Sequence, residues 1–415
     1  MKIAILGFAR EGQSIYRFLK RTKNKGEIWI LDANKNIKVP PGIKTQLGEN
    51  YLNSLDSFDL IFRSPGIPYN LPQIQKAIKK GVEFSSATKL FFEKAKGKII
   101  GVTGTKGKGT TSTLIYKILK MAGKDVFLIG NIGKPCLDIL PKLSKNSYIV
   151  FELSSFQLQD MSKSPTIAIV LGVFPDHLDK HKNFQEYLHA KINIAKYQKS
   201  SDLIFYFPTE KYSKLVAHES EAQKTAVNTT DIFEPKELKI KGPHNLKNAT
   251  MAVIVAEKLG INKQIIHRIV TDYRGLKYRL EFSGTKHGIS FYNDSASTNP
   301  ESTAAAIMSF QTPQILIAGG KDKELNYKPL AIALKKSSVK QVFLFGENKN
   351  KILSQIKNGI PIELHFDLKS TLEKAVKVAY NGDTIVFSPG SASFDMFKDY
   401  TDRGIEFKKL VDELN

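Results

Sequence analysis

The 415-residue chain is short of cysteine, of acid and of long apolar runs. Its single cysteine, Cys136, excludes an intrachain disulfide and a cysteine-held metal cluster, and reads as a small apolar packing residue. No apolar run approaches the ~18 residues needed to cross a bilayer as a helix, so no membrane span is expected. The start, MKIAILGFAREG, is a charged residue, a short strand-like run and a glycine turn. It lacks the longer apolar segment and small-residue cleavage site of a secretory signal, which makes the cytoplasm the expected compartment. Acids number 40 against 62 Lys and Arg, leaving a formal charge of +22. Such an excess suits phosphate neutralisation on nucleic acid. The lysines are scattered, however, as in KIKGPHNLKN and ALKKSSVKQ, with no basic tail, aromatic stripe or zinc-finger spacing. A solvated basic surface that attracts anionic substrates is therefore expected, without a nucleic-acid partner.

What is present is an ordinary globular composition, 41% apolar and 25% charged. Strand-like runs alternate with helical patterns from end to end, the mark of α/β layers on mostly parallel sheets. At roughly 100–200 residues per domain, three blocks are expected: 1–94, 95–276 and 277–415. The first contains KIAILGF, EIWILDAN and LIFRSPGIP; the second KGKIIGVTGT, YIVFELSSF and TIAIVLGVF; the third GISFYNDSAST, QILIAGGKD, QVFLFGEN and DTIVFSPGSAS.

In the second block, GVTGTKGKGTTS follows the strand-like KIIGV and precedes Leu114, Ile115, Ile118 and Leu119 at helical spacing. Strand, glycine loop and helix together present backbone N–H groups and a helix N-terminus to phosphate, and Lys108 supplies a mobile charge. The strict phosphate-loop pattern is broken by Val102 at the first glycine position and by Gly109 after the lysine. Thr110 and Thr111 follow at once, and Thr110 is the expected hydroxyl ligand of Mg²⁺. Gly104, Thr105, Lys106, Gly107, Lys108, Gly109, Thr110 and Thr111 form the expected ATP loop. Glu152 closes YIVFE, and Asp176 and His177 follow TIAIVLGV, so two more strand ends bring metal-ligand chemistry to the same crevice.

TGTKGK, ELSSFQL and DHLD, in that order, resemble the Mur ligases, ATP-dependent amino-acid ligases of peptidoglycan precursor synthesis. NDSASTNPESTAAA and SPGSASFDMFKDYTDRGIEFKKLV resemble the branch that adds D-glutamate to UDP-N-acetylmuramoyl-L-alanine, and the match runs along essentially the whole chain. The resemblance implies a Rossmann-like UDP-substrate domain, a central phosphate-loop ATPase domain and a Rossmann-like amino-acid domain. It also implies an acyl-phosphate route and two Mg²⁺ ions. Lys108 would contact the phosphates, Thr110 the nucleotide Mg²⁺, and Glu152 with His177 the second ion. Lys191 matches a lysine carbamylated by CO₂ that helps hold that ion. Asn245, Asn248, Arg279 and Asp294 would meet the nucleotide.

By the same resemblance, Phe8, Arg10, Glu11, Asp32, Ser64, Pro65, Gly66, Asn131, Ser154, Gln157 and His177 would surround the UDP substrate. Arg10 and Glu11 stand where an apolar residue and a threonine are common. D-Glutamate would be held by Thr298, Lys323, Ser393, Phe394 and Tyr400, with Lys323 the group a second carboxylate requires. Ala296 replaces a family lysine. Taken alone, the first glycine turn with Asp32 reads as a dinucleotide site. A folylpolyglutamate synthase-like ligase shares the G-K-G loop, and a non-catalytic basic binding protein on this scaffold is the remaining alternative. The expected oligomeric state is a monomer.

Overall fold

The structure is a computed structural model that describes residues 1–177, 180–229, 232–234, 237–356 and 359–414. Three separate sheets run along the chain. The first has strands β1 (Lys2–Leu6), β2 (Glu27–Asp32), β3 (Lys44–Leu47), β4 (Leu60–Arg63) and β5 (Glu83–Ser85), all parallel, in the order β3-β2-β1-β4-β5. Helices α1 (Arg10–Arg21), α2 (Pro72–Lys79) and α3 (Ala87–Lys94) cover it. A parallel strand is buried on both faces, hence the unbroken apolar run IAIL. Ile3 and Ile5 pack on one side with Ile15 and Leu19 of α1, while Ala4 and Leu6 face Phe58, Ile74 and Ala77 on the other.

The second sheet comprises β6 (Lys98–Thr103), β7 (Val126–Gly130), β8 (Tyr148–Glu152), β9 (Ile167–Val170), β10 (Leu203–Tyr206) and β11 (Gln223–Ala226), again all parallel, ordered β11-β10-β9-β6-β8-β7. Its helices are α4 (Lys108–Met121), α5 (Cys136–Ile139), α6 (Ser155–Leu158), α7 (Phe184–Ile192) and α8 (Lys211–His218). β6 lies between β8 and β9, so the chain reverses its direction of winding there. That reversal opens a crevice at the strands' carboxyl ends, where open α/β sheets bind ligands. The apolar core is continuous from the first sheet into the second: Leu90 and Phe91 of α3 and Cys136 and Leu137 of α5 join Ile149 and Phe151 of β8 in one cluster.

After α9 (Pro243–Lys258) and α10 (Lys263–Asp272), the third sheet holds β12 (Glu281–Lys286), β13 (Ile289–Asn293), β14 (Gln314–Gly319), β15 (Val339–Phe345), β16 (Ile362–Leu364) and β17 (Thr384–Phe387). The order is β12-β13-β17-β14-β15-β16, and only β12 is antiparallel to its neighbour. The β12–β13 hairpin turns through His287 and Gly288, both at positive φ (50° and 74°), the twist that a two-residue hairpin needs. Helices α11 (Pro300–Ile307), α12 (Lys328–Leu334), α13 (Lys349–Ile356), α14 (Leu368–Val378) and α15 (Tyr400–Asp412) complete this part. By contacts the chain forms two compact units, residues 1–230 with 250–266, and residues 231–249 with 267–415. No helix among the described residues is long and apolar enough to cross a membrane.

Candidate active site

The phosphate loop joins β6 to α4. Gly104 (φ 148°) and Gly107 (φ 85°) occupy backbone conformations that side chains rarely adopt. A Cβ at Gly104 would lie 2.7 Å from Leu171 Cβ, so glycine is also required for space. Thr111 N–H makes the helix's early bond to Gly107 O at 3.0 Å. The amides of Gly109 and Thr110 belong to the first turn, which helix geometry leaves without intrahelical acceptors. Thr110 is partly exposed, whereas Thr111 is fully buried, which leaves Thr110 as the hydroxyl on the solvent side of the helix start. Lys108 Nζ folds over the loop, 3.0 Å from Gly104 O and 2.9 Å from Thr105 O; Lys106 is exposed.

The flanking strands and helix α7 bring three further groups to this crevice. Glu152, 4% exposed, ends β8 beside Val102 of β6. The segment after β9 is pinned to the loop by Thr105, whose Oγ1 accepts from Phe174 N at 2.8 Å and whose own N–H donates to Gly172 O at 2.8 Å. It ends at His177, in the left-handed region (φ 53°) with its N–H on Asp176 Oδ1. From α7, Lys191 reaches in beneath the loop: it is 1% exposed, and its Nζ donates to Gly104 O at 2.9 Å and Thr103 Oγ1 at 3.3 Å. Burial first, then the charge of Lys108, drives the Lys191 amine well below the ordinary lysine range, against a smaller pull from Asp176. A neutral amine is what attack on CO₂ demands.

Facing the first sheet is a cleft of about 490 Å³ lined by Arg10, Glu11, Asp32, Ser64, Pro65, Gly66 and Asn131 among others. Its floor is built by the strand-end turns. Ser64 Oγ donates to Gly7 O at 2.8 Å, and a Cβ on Gly12 would fall 2.1 Å from Gly7 O, so α1 packs this closely only with glycine there. Asp32 does not present a free carboxylate: Oδ2 accepts from Phe8 N at 2.7 Å and Oδ1 from Asn34 N at 2.8 Å. Phe8 itself is buried in the core at 4% exposure, so only its backbone faces the turn. Ser154 and Gln157 form a capping box at the start of α6, and Gln157 Nε2 donates to Glu11 Oε1 at 3.0 Å.

In the other unit, Lys323 Nζ lies 5.4 Å from the Phe394 ring centroid, and Tyr400 packs edge-on to Tyr278. Ser393 is buried, while Thr298, Lys323, Phe394 and Tyr400 are exposed. The backbone brings the loops bearing Thr298 and Ser393 together, since Gly390 N donates to Ser297 O at 3.0 Å. Asp294, 8% exposed, accepts from Ser388 Oγ at 2.7 Å and Leu280 N at 3.0 Å, and burial raises its carboxyl to about 6. Asn245 and Asn248 lie on α9, with Asn245 Nδ2 on Lys241 O at 2.8 Å; Arg279 is exposed.

Sequence comparison places three family models on the chain: Mur ligase MurD-like N-terminal domain over residues 1–86, Mur ligase middle domain over 102–256, and Mur ligase glutamate ligase domain over 278–390. A UDP-N-acetylmuramoylalanine–D-glutamate ligase of Acetivibrio thermocellus is 35% identical over all of this chain and 96% of its own length. The chain belongs to the Mur ligase family. A ligase of the same description from Clostridium botulinum is 33% identical over all of this chain and 97% of its own. Among solved structures, UDP-N-acetylmuramate-alanine ligase MurC of Thermotoga maritima matches at TM-score 0.60 and 19% identity, covering 99% of both chains. MurF ligase of the same organism, in complex with ADP, matches at 0.58 and 17%, covering 99% of this chain and 94% of its own. These share the fold.

Mg²⁺ takes hard oxygen ligands, and the Glu152 carboxylate and the Thr110 hydroxyl are groups of that kind; a carbamate on Lys191 would add a third, and His177 a nitrogen. Among the described residues no three His, Cys, Asp or Glu side chains gather as a ready-made cation site, so the lysine adduct and phosphate oxygens would have to complete it. Two residues not singled out from sequence belong to this site. Tyr187, one turn before Lys191, puts its OH 2.9 Å from Thr105 Oγ1 and its ring 4.7 Å beneath Lys191 Nζ; burial pushes its phenol up to about 12. His181, 2% exposed, stacks on Phe156 and shares a hydrogen bond with Ser155 Oγ at 3.0 Å. Their signals were the i, i+4 spacing to Lys191 and to His177.

Proposed function

We propose that this Mur ligase joins D-glutamate to UDP-N-acetylmuramoyl-L-alanine with hydrolysis of ATP to ADP and phosphate, as a cytoplasmic monomer. The muramoyl-alanine carboxylate oxygen attacks the γ-phosphorus and ADP leaves. The amine of D-glutamate then attacks the acyl carbon, phosphate leaves, and the nitrogen gives up a proton. Activation is needed because a free carboxylate is a poor electrophile, and the protein's part is to align the groups and balance phosphate charge. Lys108 and the loop amides would hold the phosphates. Two Mg²⁺ ions, held by Thr110, Glu152, His177 and carbamylated Lys191, would supply charge neutralisation at the transferring phosphoryl group. Residues 1–94 would bind the UDP moiety, 95–276 ATP, and 277–415 D-glutamate, with Lys323 opposite its second carboxylate.

The observation that carries the reading is the placement of a buried, deprotonation-prone Lys191 directly under a phosphate loop flanked by Glu152. The relatives' shared description as D-glutamate ligases supports the choice of amino acid. The folate-type alternative is not favoured, because a MurD-like domain precedes the ATPase domain. Hydroxylamine trapping tests the chemistry. A hydroxamate of the UDP substrate should form with ATP and Mg²⁺ in the wild type and not in Lys108→Ala; its absence in the wild type contradicts the acyl-phosphate route.

A further inference from the structure

Helix α6 is only four residues long, too short to hold itself, yet it serves two parts of the site at once. Phe156 stacks on His181, its ring centroid 5.2 Å from that of His177, Ser155 meets His181, and Gln157 reaches Glu11, which lines the cleft of the first sheet. Inside the capping box, Gln157 Oε1 accepts from Ser154 N at 3.0 Å and Ser154 Oγ at 3.1 Å. That settles the orientation of the amide: its oxygen is turned to Ser154 and its Nε2 to Glu11.

Glu11 comes from the first turn of α1 and lines the cleft. Desolvation raises its carboxyl above the usual range, opposed by the bond from Gln157 and the charges of Arg10 and Arg63. Its Oε2 is buried without a hydrogen-bond partner. Burying a carboxyl that is only half satisfied is unfavourable, so something must be gained by placing it there. The same helix is gripped from the first sheet a second time, by Arg63, which donates to Phe156 O at 3.2 Å and Asp160 Oδ1 at 3.3 Å.

We infer that Glu11 is a positioning residue that acts through Gln157: it holds α6 and pre-orients the Gln157 amide for the nucleotide-sugar in the cleft. The substrate part of this inference rests on the proposed function. A threonine at position 11 would end two atoms short of the carboxylate oxygen and could not make the same bond to Gln157.

The test uses full-length Glu11→Ala, Glu11→Gln, Gln157→Ala and the Glu11→Ala/Gln157→Ala double variant. In steady-state assays Glu11→Ala should raise KM for UDP-N-acetylmuramoyl-L-alanine about tenfold, the scale of a hydrogen bond to a charged group, with KM for ATP little moved. Glu11→Gln, whose carbonyl can still accept from Gln157, should recover most of that loss. The double variant should be no worse than Gln157→Ala, because both act through one contact. Additive losses, or no recovery in Glu11→Gln, overturn the inference. Hydrogen exchange at amides 155–160 decides it independently of any activity: exchange should speed up in Glu11→Ala and not in Glu11→Gln. Unchanged protection in Glu11→Ala overturns the positioning role, whereas a wild type silent on the UDP substrate counts against the proposed reaction alone.

Discussion

Lys191 Nζ donates to the Gly104 carbonyl at 2.9 Å, and that same oxygen accepts from Lys108 at 3.0 Å. Two ammonium groups sharing one carbonyl repel, and full burial makes Lys191 the one to give up its proton. On the proposed role, its neutral nitrogen would attack CO₂, forming an N–C bond and releasing a proton, and the resulting carbamate would carry the negative charge a cation site needs. Labelled bicarbonate should give a carbamate carbon signal in the wild type that is absent from Lys191→Ala. The variant should lose most activity and partly recover with short carboxylates; full activity in Lys191→Ala contradicts the role.

Asp294 should make stability pH-dependent in an unusual direction. Burial raises its folded-state value to about 6, above the ordinary aspartate value of 3.8, so the folded chain binds more protons between those limits. Stability from this group is present below about 4 and is lost as pH rises through about 6, a change on the order of 2–3 kcal/mol. Asp294→Asn keeps an acceptor for Leu280 N and an amide for Ser388. Its thermal midpoint should exceed the wild type's at pH 7.5, and the gap should close on acidification toward pH 4.

The Arg63–Asp160 pair is buried at both ends, 1% and 5% exposed, at 3.3 Å, with Lys89 3.8 Å from the other carboxylate oxygen. Removing one partner strands a charge. Arg63→Met should destabilise the unit formed by the first two sheets by about 3 kcal/mol in chemical denaturation, and adding Asp160→Leu should recover much of that. Equal losses in the single and double variants would show that the ion pair is not the source.

Arg403 is fully buried and donates to Ser295 Oγ, Ser295 O, Ala392 O and Ser391 O between 2.9 and 3.2 Å. Burial lowers its guanidinium to about 10, so it stays charged at neutral pH and clamps the two loops that carry Thr298 and Ser393. A lysine cannot reproduce that fork. Arg403→Lys should raise KM for D-glutamate about tenfold, on the scale of lost charge-assisted bonds, while leaving KM for ATP near its wild-type value.

Strand ends and glycines made the strand–loop–helix unit of β6 and α4 legible from sequence, because β6, β8 and β9 are largely apolar and the loop between β6 and α4 needs positive φ at Gly104 and Gly107. The partners across the fold were not legible. Gln157 lies 146 positions from Glu11, and nothing local marks the bond. Tyr187 and His181 carry only an i, i+4 spacing to Lys191 and His177, which does not by itself show that they pack against the loop and Phe156. Nothing in the sequence marks Arg63 and Arg403, because an arginine in a short motif reads as surface charge, and only the fold shows both to be buried. Asp32, expected at the UDP substrate, lines the cleft, and its two oxygens accept from the backbone N–H groups of Phe8 and Asn34, bonds that no local pattern announces.

The most direct test of the proposed reaction is phosphate release by the purified chain with ATP, Mg²⁺ and UDP-N-acetylmuramoyl-L-alanine, comparing D-glutamate, L-glutamate and no amino acid. Release with a product heavier by one glutamyl residue, for D-glutamate only, is the predicted result. Silence with this substrate, or turnover on a folate in its place, would contradict the account.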